Sequence, residues 1–250
     1  MNLPLLLLAA LVGGAANALA GGGMFVVFPA LLLAGVASVK ANATASLIMM
    51  PGGIAAVWVY RRTLDGQSRR EIVKLVLASL AGSAVGSVLL LSTSNGMFLN
   101  LVPWLLLVAA IVFSLAPRIR AMAEKSTGRR SVAALLTGQL LISVYGGYFG
   151  AGMGVLMIAL FLIASSMNVQ GANGIRLICA TAINVLAVSL FAWRGAVDWK
   201  LGLPMLAAGS VGGYLSALVV RRLNENSVRI AILVYAWGLT AYFFARLLWS

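Results

Sequence analysis

Three stretches of this chain carry no Lys, Arg, Asp or Glu: residues 1–39, 75–117 and 131–175. A helix needs roughly 20 apolar residues to cross the ~30 Å hydrocarbon core of a bilayer, and each stretch exceeds that. Only 9% of the 250 residues are charged and 62% are hydrophobic, whereas soluble domains carry about 25% charged residues. The expected fold class is an all-α polytopic membrane protein, multi-pass, with the lipid bilayer as its first partner.

The formal net charge of +13 would suit a nucleic-acid binder if it were spread over a folded surface. Instead the basic residues cluster between apolar segments: Arg61, Arg62, Arg69, Arg70 and Lys74, then Arg118, Arg120, Lys125, Arg129 and Arg130. The positive-inside rule describes such clusters. No nucleic-acid partner is expected, and the expected location is the cell membrane, in a bacterium the inner membrane. There is no histidine, and Cys179 is the single cysteine. No disulfide, zinc site or His-based catalysis is therefore expected, and no cofactor or metal.

The five acids, Asp65, Glu71, Glu124, Asp198 and Glu225, all lie in or beside expected loops. An intramembrane protease needs paired Asp or a Ser/His set inside the bilayer, so no enzyme is expected. Proton-coupled transporters often place a carboxylate or histidine in the membrane. With neither in view, either a transported anion carries the proton itself or gradient and potential drive it.

Eight apolar elements are expected, over about 3–36, 41–60, 71–91, 97–117, 131–166, 169–193, 199–220 and 228–248. The first and fifth are each broken at a glycine-rich stretch: Ala20-Gly21-Gly22-Gly23-Met24 and Gly150-Ala151-Gly152-Met153-Gly154. Glycine inside a helix costs about 1 kcal/mol relative to alanine, so these are places for a helix to stop and restart. A restarted helix presents unpaired N–H groups and a positive dipole end, which inside a membrane suits an anion. Leu5–Ala20 ends in Asn17-Ala18-Leu19-Ala20, like a signal-peptide cleavage site. It lacks a basic n-region and has an internal counterpart at 131–148, so it reads as a retained membrane helix.

The two halves look like copies. Gly23 matches Gly154 at an offset of 131, which also carries Ala41-Asn42 onto Ala172-Asn173. Tyr60-Arg61-Arg62-Thr63-Leu64-Asp65 lies over Trp193-Arg194-Gly195-Ala196-Val197-Asp198 at an offset of 133. Gly82-Ser83 with Gly86 echoes Gly209-Ser210 with Gly213. The expected organisation is two homologous four-element repeats, residues 1–117 and 131–250, joined by a basic cytoplasmic linker at 118–130. If each broken element crosses once, Arg221, Arg222 and Arg229 fall outside. If each dips in and returns, they move inside and the repeats are inverted. The charge pattern alone hardly separates the two.

These residues resemble the TauE/SafE family of membrane transport proteins, described as sulfite exporters or sulfonate permeases. The pattern is a glycine-rich stretch, an apolar run with proline, then a short loop and an alanine-rich helix, given twice. Here it is Gly21-Gly22-Gly23, Pro29 and Ala41-Asn42-Ala43-Thr44-Ala45-Ser46, then Gly150 to Gly154 and Ala172-Asn173. The second half has Leu160 in place of Pro29, and Gly174-Ile175-Arg176 in place of Ala43-Thr44-Ala45. The resemblance implies movement of small sulfur-containing anions such as sulfite, sulfoacetate or related organosulfonates.

Arg176 is the leading candidate for substrate binding. A charge in mid-bilayer costs about 3 kcal/mol on insertion scales, so it is usually kept for function; the structural alternative is an arginine snorkelling to the headgroups. Asn173 lies at i−3 from it, and Asn184, eleven residues beyond Asn173, shares that face. Two amides and a guanidinium suit an oxyanion. Asn42, Thr44 and Ser46 are further candidates, with interhelical packing as their alternative. So are the glycines Gly21, Gly22, Gly23, Gly150, Gly152 and Gly154, together with Asn17, Tyr145 and Tyr148 beside the breaks. Lys40 reads as a steering charge or a solvated loop residue. Pro51-Gly52-Gly53 reads as a kink, and Asp65 and Asp198 as partners of Arg61 and Arg194. The expected partner is a small anionic substrate taken by a transporter with a midplane site, possible homo-oligomerisation aside. An anion-selective channel and a non-transporting scaffold are the alternatives.

Overall fold

The computed structural model describes residues 2–20, 22–60, 68–125, 131–165, 167, 169–219 and 225–248. The described residues form ten helices and no strand. In chain order they are α1 (Leu3–Ala20), α2 (Gly23–Leu33), α3 (Ser38–Tyr60), α4 (Arg69–Ser92), α5 (Asn95–Lys125), α6 (Val132–Tyr148), α7 (Met153–Ala164), α8 (Val169–Trp193), α9 (Trp199–Val219) and α10 (Glu225–Leu248). Helices over Arg69–Ser92, Asn95–Arg118 and Gln170–Trp193 are each long and apolar enough to cross a membrane. Many large apolar side chains point outward, among them Leu8, Leu77, Trp104, Leu141, Tyr214 and Val234. In water that surface would be costly, whereas against acyl chains it is solvated.

Helices stop where the glycines stand. Residues 21 and 22 separate α1 from α2, and residues 149–152 separate α6 from α7. At the second break Gly150 and Gly152 sit at φ +81° and +77°, in the left-handed region that costs other residues roughly 1–2 kcal/mol. At the first, Gly22 lies at φ −97°, open to any residue. Gly21 is outside the described residues. The segment following Pro51 stays helical to Tyr60. α5 likewise runs through Pro117 to Lys125, so residues 118–125 of the expected linker are helical.

Each broken element turns back on itself. Gly13 of α1 packs against Val27 of α2, and Gly138 of α6 against Leu160 of α7. The Ser131 N–H, at the start of α6, donates to Ala164 O, at the end of α7, at 3.4 Å. These are two antiparallel helix hairpins with glycine-rich tips. The first opens toward the face where α3 and α5 begin, held together by Ser38 Oγ donating to Asn95 O at 2.8 Å. The α8–α9 connection lies there too, through Asp198 N–H donating to Thr44 Oγ1 at 2.9 Å. The second hairpin opens toward the other face, where α3, α5 and α9 end and α4, α8 and α10 begin. The tips therefore enter from opposite faces.

Small residues let the helices approach closely. α1 lies along α9, where a Cβ added at Gly14 would strike the Gly209 carbonyl. α4 lies along α6, where one at Gly86 would strike the Val144 carbonyl. Buried hydroxyls and an amide tie the second pair: Gln139 Nε2 donates to Ser79 Oγ at 2.7 Å. Ser83 Oγ extends the tie to α8 by donating to Ile183 O at 2.9 Å. Asp198 does not pair with Arg194. As the N-cap of α9 its Oδ1 accepts from Leu201 N–H at 3.2 Å and Oδ2 lies 3.9 Å from Lys40 Nζ. The Arg194 guanidinium instead stacks over Trp193, 5.5 Å from the ring centroid. Arg61 and Asp65 lie outside the described residues.

Candidate functional site

One face of α8 forms the wall of a cavity of about 320 Å³. Asn173, Arg176, Leu177, Ala180, Thr181 and Asn184 line it. Asn173, Leu177, Ala180 and Asn184 follow at steps of four, three and four residues, with Arg176 and Thr181 beside them, which keeps all six on one side of a helix. The tips of both hairpins complete the wall: Asn17, Ala18 and Met24 from the first, and Phe149, Gly150, Gly152, Met153, Gly154 and Val155 from the second. α3 contributes Ser46, Met49, Gly52 and Gly53, and α5 contributes Phe113.

Arg176 is held rather than loose. Its Nε donates to Asn173 Oδ1 at 3.0 Å. A Cβ added at Gly154 would meet its Nη1 at 2.7 Å, so the guanidinium lies against the second residue of α7. That is the inner end of α7, away from the membrane face where α8 begins. The side chain thus reaches inward to the hairpin tip, opposite to the direction of snorkelling. A helix's first N–H groups lack intrahelical acceptors, so guanidinium and helix dipole act on the same space. Among the described residues, no acidic side chain lines the cavity and no group of His, Cys, Asp and Glu could hold a metal ion.

Of the residues read from sequence, Asn17, Ser46, Gly150, Gly152, Gly154, Asn173, Arg176 and Asn184 line this one cavity. Gly22, Gly23, Asn42, Thr44 and Tyr148 do not. Gly23 packs against Gly13 and Asn17. Buried Asn42 donates through Nδ2 to Tyr148 O at 3.0 Å, supplying a donor at the end of α6. Thr44 donates to Lys40 O at 2.7 Å while accepting from Asp198 N–H. The Tyr148 hydroxyl lies 3.3 Å from Thr93 Oγ1. Tyr145 donates to Ala151 O at 2.6 Å, pairing a carbonyl freed by the break.

Sequence reasoning missed Thr181, the methionines Met24, Met49 and Met153, and Phe149. Thr181 was findable, because it stands three residues before Asn184 on the face already singled out. Its Oγ1 is buried without a hydrogen-bond partner and faces Gly53, where an added Cβ would come within 2.9 Å of it. Gly52 and Gly53 line the cavity from within α3.

Comparison with known proteins gives a consistent picture. The family model described as Sulfite exporter TauE/SafE matches residues 6–243. A probable membrane transporter protein of Haemophilus influenzae is 26% identical over 228 residues, covering 90% of this chain and 88% of the relative. The probable membrane transporter protein ORF9 of a Sinorhizobium species is 30% identical over 220 residues, 88% of this chain and 82% of its own length. The probable membrane transporter protein YfcA of Escherichia coli K12 is 25% identical over 243 residues, 96% and 88% respectively. A chain of apolar helices, matched almost end to end by one family model and by these transporter relatives, is a multi-pass membrane protein, and it belongs to the TauE/SafE family of membrane transporters.

Proposed function

We propose that this protein is a secondary transporter or facilitator that moves small anions, sulfur-containing oxyanions such as sulfite or a short organosulfonate, across the cell membrane. The observation that carries the reading is Arg176, positioned by Asn173 over the start of α7 in a cavity that no described acidic side chain lines. Arginine suits planar bidentate recognition of an oxyanion. The Asn17, Asn184 and Ser46 side chains add polar contacts around the same space. The family description supplies the sulfur chemistry.

The architecture we propose has eight elements in two inverted repeats, 1–117 and 131–250, each led by a hairpin. Under the sequence correspondences α1 maps onto α6 and α4 onto α9. The α1–α9 and α4–α6 packings then exchange with one another, as a two-fold relation requires. Thirteen of the eighteen Lys and Arg fall in or beside the segments joining helix ends on the face where α4 begins. That basic face is the cytoplasmic one under the positive-inside rule. This arrangement returns Arg221, Arg222 and Arg229 to the inside.

The test is uptake of labelled sulfite and a small sulfonate into proteoliposomes. The parent is expected to saturate, and Arg176→Ala to lose at least about ten-fold in rate, about 1.4 kcal/mol of site energy, with Arg176→Lys between them. Equal uptake by parent and Arg176→Ala would remove Arg176 from the site. No uptake of either anion by the parent would remove the sulfur chemistry.

A further inference from the structure

We infer that Tyr148 and Phe149, with Phe28 and Phe98, form the gate that closes the cavity toward the face opposite the basic one, and that the cavity in this structure is entered from the basic face. The inference rests on the transporter reading. It starts from where the cavity lies along its helices. At 1.5 Å per residue, Asn173 is about 6 Å from the beginning of α8 on the basic face. Ile158 is about 9 Å from the end of α7 on the same face. Toward the opposite face the nearest wall residues are Ser46, about 12 Å from the beginning of α3, and Asn184, about 13 Å from the end of α8.

Rings fill the space on that side. Phe28 meets Phe149 with centroids 5.6 Å apart and Phe98 at 6.1 Å. Phe98 meets Tyr148 at 5.6 Å and Phe149 at 6.4 Å. All these pairs are edge-to-face, an arrangement the ring quadrupoles favour. Phe28, Phe98 and Phe149 are buried, and Phe149 is also cavity wall. The cluster is latched by Asn42 on Tyr148 O and by Thr93 beside the Tyr148 hydroxyl. At the repeat offset of 131, Tyr148 and Phe149 correspond to Asn17 and Ala18. The first tip therefore offers an amide and a methyl where the second offers two rings, and the side it faces stays open. A substrate crossing to the far face must displace the Phe149 ring.

The inference is tested by thiol labelling, which needs no transport. Cys179→Ala removes the only native cysteine. Leu177→Cys then reports on the cavity, Ser68→Cys on the basic face and Ser94→Cys on the opposite face. A membrane-impermeant, charged thiol reagent is applied to one side of sealed vesicles at a time. Leu177→Cys is expected to react from the side that labels Ser68→Cys, at least ten-fold faster than from the side that labels Ser94→Cys. Adding Phe149→Ala is expected to raise the slow rate several-fold and leave the fast one unchanged. If Phe149→Ala does not accumulate, Phe149→Leu reads the same. Labelling that is equal from both sides, or faster from the Ser94 side, overturns the inference. So does a Phe149 variant without effect on the slow rate. One-sided labelling in a protein that moves no anion would keep the gate and sink the proposed substrate. Two-sided labelling with transport intact would do the reverse.

Discussion

The two glycine-rich tips make the same turn with different means. The second needs glycine, since Gly150 and Gly152 occupy left-handed backbone conformations. The first, at Gly22, does not. The second tip ends in rings packed on Phe28 and Phe98, while Asn17 and Ala18 of the first face the cavity. The second also carries Arg176 against it, whereas the position matching Arg176 in the first half is Ala45, fully buried. In the repeat arrangement proposed above, the two halves keep the same helix packing and divide the chemistry. One half carries the arginine and the proposed seal, and the other faces the proposed opening.

That comparison can be strained most severely at its shared part. Gly14→Ala and Gly86→Ala each drive a methyl into a facing backbone carbonyl. Each is expected to cost about 3 kcal/mol, the upper range for overpacking, and to reduce folded yield in detergent size-exclusion to a similar degree. A tolerated Gly14→Ala beside a ruined Gly86→Ala would mean the two tips are not equivalently supported. Next comes Ala18→Phe, which gives the first tip a ring like that of the second. It is expected to leave the folded yield intact and lower uptake by ten-fold or more, and unchanged uptake would disconnect ring placement from access. Smaller is the backbone difference. Gly152→Ala has room, its nearest neighbour Ala109 O lying 3.6 Å away, so its expected loss of about 1–2 kcal/mol is conformational. Gly22→Ala carries no such backbone strain, and a thermal-melt comparison of the two variants separates them. Smallest is Lys40→Ala, which removes a partly exposed ion pair worth under about 1 kcal/mol. It is expected to move the melting temperature by no more than a few degrees.

Much of this was legible in the sequence because the signals are local. Glycine clusters marked both breaks, and the i, i+3 and i+11 spacing put Asn173, Arg176 and Asn184 on one face, where all three line the cavity. The direction of the chain after each break was not legible. Apolar length reports that a segment is buried in lipid, but a helix that continues and one that turns back have the same composition. Nor could residue type tell Asn42 and Thr44, spent on neighbouring elements, from Ser46, which lines the cavity while its hydroxyl donates to Asn42 O at 3.0 Å. Asp198 was matched to its sequence neighbour Arg194, yet it meets Lys40, far earlier in the chain. Such pairings are set by how helices far apart in the chain interlock, which no single segment contains.

The pairing of α1 with α9 also sets a timetable for synthesis. Gly14 leaves the ribosome well before its packing partner Gly209, which lies in α9. The first hairpin must therefore wait in lipid, with its glycine face uncovered, until α9 has been made. The α4–α6 pair closes much sooner and is fastened by Gln139 and Ser79. The order of synthesis thus lets the second hairpin pack before the first can dock on α9.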